Sequence, residues 1–67
     1  MSEIGFVLKE DQDFERAIQK GYIVEALEGN QKKYGPGKIT SYGFLYVAIE
    51  DKYLVRSANQ FVVVGFT

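Results

Sequence analysis

The sequence predicts an α+β domain: a strand and a short helix first, then a five-stranded antiparallel barrel. Three observations carry this prediction. The chain has 67 residues, the size of one domain. Its apolar residues follow a helical period within residues 11–20 and turn into short β-prone runs after Gly21. Those runs follow one another closely, with Gly, Asn, Asp or Ser between them, so hairpin pairing is the economical connection. The single domain spans 1–67, divided into a strand-and-helix lid at 1–21 and the barrel at 22–67.

Residues 4–8, Ile-Gly-Phe-Val-Leu, read as the first strand. In DQDFERAIQKG the residues Phe14, Ala17 and Ile18 share one helical face. Asp11 or Asp13 suits the positive end of this helix, Lys20 its last turn and Gly21 its stop. A helix this short does not hold alone in water, so the shared face must pack on the sheet. Residues 22–27 form the next strand, ended by Gly29-Asn30. Gly35-Pro36-Gly37-Lys38 reads as a type II turn with Gly37 at the position of positive φ. On that reading Gly37→Ala costs more stability than Gly35→Ala. Strands follow at 37–42, 44–49, 53–56 and 61–66. Glu50-Asp51-Lys52 contains no glycine, so a type I turn in a three-to-five-residue loop is expected there.

The stretch YLVRSANQFVVV, with Ser57-Ala58-Asn59-Gln60 suited to a single 3₁₀ turn before a closing strand, resembles the SH3-like small-barrel superfamily. GPGKI is similar to the glycine-led turn into the second strand of KOW-type barrels. The resemblance covers about two-thirds of the chain, from Tyr22 onward, and implies the barrel form alone. The chain has no tryptophan, so the proline-rich ligand of SH3 domains is not carried over.

Composition narrows the function classes. Without Cys or His there is no disulfide, no thiolate metal site and none of the commonest catalytic bases. No metal or cofactor is expected, and no enzymatic activity: Ser2, Ser41 and Ser57 have no His partner in the sequence. Asp11 and Glu15 share a helical face, but a solvated helix start explains them. Nor is DQDFE a calcium loop, since the central glycine and closing glutamate are missing. No run approaches the ~18 apolar residues of a membrane span. Met1-Ser2-Glu3-Ile4 has no basic segment leading into an apolar one, so a cytoplasmic protein is expected.

Net charge is −1, yet the acids concentrate in the first 30 residues and the bases after them. Lys32, Lys33, Tyr34, Lys38, Tyr42, Lys52 and Arg56 are therefore the candidate partner-binding residues, the lysines and Arg56 for charge and the tyrosines for stacking. The run from Phe61 to Phe66 contains no polar residue, so either both its faces are covered within one chain or it is an edge strand that pairs with another chain. Phe61, Val63 and Phe66 are the candidate self-association residues. The expected function is a small protein-interaction or regulatory module, homodimeric, that binds a partner protein through a sheet edge or an aromatic patch. Nucleic acid, bound through the basic and aromatic stretch 31–47, is the second reading.

Overall fold

A computed structural model describes residues 3–66 of the chain. The expectations placed on Met1 and Ser2, no leader and a serine without a His partner, lie outside the described residues. The elements are β1 (Val7–Leu8), α1 (Asp11–Lys20), β2 (Ile23–Glu28), β3 (Gln31–Tyr42), β4 (Tyr46–Ile49), β5 (Lys52–Val55), a 3₁₀ turn (Arg56–Ala58) and β6 (Gln60–Gly65). All neighbouring strands are antiparallel, in the order β1-β6-β2-β3-β4-β5, and the sheet does not close. The α+β class therefore holds. The first strand differs: residues 4–6 lie outside it, and Val7–Leu8 add a sixth strand beside β6.

Helix α1 follows from its ends and one face. The Asp13 carboxylate accepts from the backbone N–H groups of Lys9 and Glu10 at 3.0 and 2.9 Å, covering donors the helix start leaves over. Gly21 closes the other end in the left-handed region. Phe14 and Ala17 are buried. Ile18, expected on the same face, is half-exposed, and Tyr22 just after the helix is the buried residue at that end.

The Gly35-Pro36-Gly37 segment is not a turn. It lies inside β3, where Val24 faces Gly37 but Ala26 faces Tyr34. Two residues on β2 thus span three on β3, which is a β-bulge. Proline has no N–H to give a ladder, and a bulge is where a strand tolerates that. Gly35, not Gly37, has the positive φ, at +110°. The hairpin turn expected at 35–38 lies earlier, at Gly29-Asn30, where Gly29 takes φ +64° in a two-residue loop.

The loop at residue 50 is also tighter than expected. Ile49 pairs with Lys52, leaving only Glu50 and Asp51 between the strands. Glu50 adopts φ +55°, rare for a residue with a side chain. Its surroundings hold it there. The Lys38 N–H donates to Glu50 Oε2 at 2.8 Å, the Glu50 N–H to the Lys38 carbonyl at 2.9 Å, and Thr40 Oγ1 to the Glu50 carbonyl at 2.9 Å.

Strand β3 is long because it serves both halves of the sheet. Residues 31–38 pair with β2 and residues 39–42 with β4. The core lies inside this bend and includes Phe14, Val24, Ile39, Val47, Ile49, Phe61 and Val63, each nearly or fully sealed from solvent. Strand β6 is interior, flanked by β1 and β2. Its lack of polar residues reflects burial within one chain, so the edge strand expected at 61–66 is corrected. Phe61 and Val63 belong to the core, while Phe66 is partly exposed and meets Tyr22 edge to face at 5.3 Å.

Candidate interaction surface

Among the described residues the sheet ends at β5, which pairs only with β4. On this last hairpin, Val47 faces Leu54 across the strands, and both are buried. The alternate residues lie on the opposite face: Tyr46 opposite Val55, and Ala48, itself buried, opposite Tyr53. Tyr46, Tyr53 and Val55 all expose large parts of their side chains.

The connection between β3 and β4 adds to this face. The Gly43 N–H donates to the Tyr46 carbonyl at 2.8 Å, so Phe44 and Leu45 form the tip. Phe44 is 91% exposed and Leu45 63%. Turns are normally built from Gly, Pro, Asn, Asp or Ser, each for a conformational reason. Neither Phe44 nor Leu45 has a positive φ, and neither is buried, so local structure does not account for them. At ~200 Å² for a fully exposed aromatic side chain, Phe44, Tyr46 and Tyr53 present roughly 400 Å². With Leu45 and Val55 the patch is about 500 Å², near the top of the range for soluble monomers.

Arg56 holds this tip in place. Its backbone N–H donates to the Leu45 carbonyl at 2.8 Å. Its Nη1 reaches the Gly43 carbonyl at 2.8 Å and Asp11 Oδ1 at 2.8 Å, and its Nη2 donates to the Lys9 carbonyl at 3.0 Å. The guanidinium lies over the Phe14 ring, 4.7 Å from its centroid. One side chain thus ties the tip to the helix start and to the core aromatic beneath. Tyr42 acts beside it. Its ring stacks on Phe14 at 5.9 Å, and its hydroxyl donates to Glu15 Oε1 at 2.9 Å. That bond, with partial burial, pushes the Tyr42 phenol above its ordinary value.

Between the tip and β1 runs an open groove of about 780 Å³. Leu8, Phe14 and Phe61 lie at its base, and Phe44, Leu45 and Val55 at its margin. Asn59 also lines it; its Nδ2 donates to the Val55 carbonyl at 2.8 Å, and its buried Oδ1 has no partner among the described residues.

The partner-binding residues expected from sequence lie apart. Lys32 pairs with Glu25 and Lys33 with Glu28, each at 3.7 Å, near the β2–β3 turn. Lys38 is six residues further along β3, roughly 20 Å away at ~3.3 Å per residue. Lys52 begins β5 and Arg56 follows its end, so the two flank opposite ends of that strand. Tyr34 and Tyr42 pack against the core. Of the seven, only Tyr42 and Arg56 reach the groove, and both are committed to internal bonds. The Asp11 and Glu15 carboxylates are likewise engaged, by Arg56 and Tyr42. Among the described residues no three His, Cys, Asp or Glu side chains gather as a metal site, and no helix is long and apolar enough to cross a membrane.

Sequence reasoning missed Phe44, Leu45, Tyr46, Tyr53 and Val55. The signal was present: two large apolar residues directly after Gly43, at a point where the chain has to reverse. Treating 44–49 as one continuous strand concealed it. No protein-family model, curated protein or solved structure matches this chain.

Proposed function

We propose that this chain is a small non-enzymatic protein-interaction module with an SH3-like barrel form, which binds a partner protein through the β3–β4 tip and the free edge of β5. The observation that carries the reading is the pair Phe44 and Leu45, exposed at a tip that Arg56 holds in one position. Holding apolar side chains ready in water lowers the ordering cost of association. Among the described residues the outer edge of β5 pairs with no further strand, so an added strand can meet its outward backbone groups apart from the Val55 carbonyl, which accepts from Asn59, and Tyr53 and Val55 offer side-chain contact beside it. Two features support the barrel form. Strands β6-β2-β3-β4-β5 are consecutive neighbours, and a single 3₁₀ turn separates the last two in sequence.

Selection of displayed random peptides on the immobilised chain tests this. The expected result is enrichment of apolar, extended sequences whose binding is lost in Phe44→Asp and kept in Lys33→Glu. Failure to enrich any peptide, or binding indifferent to Phe44→Asp, would overturn the reading.

A further inference from the structure

The same surface is built to receive a second copy of itself. It carries a projecting apolar tip, Phe44 and Leu45, and directly beside it a groove bordered by Tyr46 and Val55, with Lys9, Asp11 and Arg56 also in its lining, above the sealed side chains of Leu8, Phe14 and Phe61. A two-fold axis at the groove margin brings each copy's tip to the other copy's groove, because a symmetric dimer uses the same patch twice and needs it to be self-complementary. We infer that two copies of this chain associate by reciprocal insertion of the Phe44–Leu45 tip into the groove between β1 and the end of β5. This inference rests on the interaction-module reading above and names its partner.

Area and charge agree with it. A standard interface takes about 800 Å² from each partner, and homodimer interfaces are about 65% apolar. That requires roughly 520 Å² of apolar surface per copy; Phe44, Leu45, Tyr46 and Val55 border the groove, and only with Tyr53, which extends the patch along β5 outside the groove, does the exposed surface reach ~500 Å². With a net charge of −1, two copies repel each other little. Of the three charged residues in the groove lining, Lys9, Asp11 and Arg56, the last two already neutralise each other at 2.8 Å and so are not stranded when water leaves. The groove is open and measures about 780 Å³, room for an aromatic side chain.

Sedimentation equilibrium over a range from about 1 to 500 μM, spanning affinities of ordinary homodimers, is the test. The expected mass is twice 7.6 kDa at the upper end. Phe44→Asp and, separately, Leu45→Asp are expected to weaken association by roughly a hundredfold or more, since each change is felt twice. Circular dichroism melts of both variants at the lowest concentration check that they remain folded, and Lys33→Glu is expected to associate as wild type. Wild-type chain that stays monomeric throughout overturns the inference, and so does a dimer unaffected by both tip variants. If that monomer still selects peptides through Phe44, the module reading stands while the dimer does not. If it selects none, both fall.

Discussion

Arg56 shows how a residue's role depends on what surrounds it. From sequence it is one of several cations in the basic half of the chain. In the fold its guanidinium is used by Asp11, Gly43 and Lys9 and covers the Phe14 ring, so it fastens the structure. Arg56→Ala is expected to cost about 2–3 kcal/mol in denaturant unfolding, from charged hydrogen bonds and the ring contact. Arg56→Lys is expected to recover less than half, because an ammonium cannot make the planar fork. Glycines give a second test. A Cβ on Gly35 would meet the Val24 carbonyl oxygen at 2.9 Å at an unfavourable φ, and the backbone there cannot yield. A Cβ on Gly37 would meet side-chain atoms of Glu50 and Ile49 at 2.9 Å. Gly35→Ala should therefore destabilise more, by about 2–3 kcal/mol against 1–2 for Gly37→Ala, the reverse of the order expected for a turn at 35–38. Asp13 adds a pH signature. Backbone N–H groups of Glu10 and Lys9 hold its carboxyl below the ordinary 3.8. A depressed folded value means that this stabilisation is present above pH 3.8 and is lost as pH falls through the folded value. Melts of Asp13→Asn against wild type should converge in acid and separate toward neutral pH.

At the scale of elements, the helix was legible because its signals are local: acidic residues at its start, Lys20 and Gly21 at its end, and apolar spacing between. The 3₁₀ turn was legible for the same reason, although at Arg56–Ala58 it starts one residue and ends two residues before the expected Ser57-Ala58-Asn59-Gln60. Strand roles were not legible, since edge and interior positions are decided by which strands meet, a non-local outcome. The run of β6 looks the same whether its faces are covered by its own chain or by another. Likewise Gly-Pro-Gly suits a turn or a bulge, and only the partner strand β2 decides. The helix packs through Phe14, which stacks on Tyr42 and meets Phe61 edge to face at 5.6 Å. Phe14→Ala is expected to cost about 3–5 kcal/mol, read as a large fall in melting temperature. A shift of only a degree or two would show that the helix is peripheral to stability.

At the scale of the whole molecule, an open sheet leaves two ends, and they are treated differently. The β1 end is two residues long and adjoins the helix, while the β5 end is bordered by exposed Tyr46, Tyr53 and Val55 and by the Phe44–Leu45 tip. The candidate surface was hard to read from sequence because it joins residues from β1, the helix start, the β3–β4 tip and β5, which only the closed chain brings together. Amide-shift mapping by NMR addresses the central claim directly, with ¹⁵N-labelled chain observed as either a selected peptide or the chain's own concentration is raised. The account predicts the largest shifts at residues 43–46 and 52–56. Largest shifts at the β2–β3 turn, residues 29–33, or at residues 62–65 of β6, away from the groove, would contradict it.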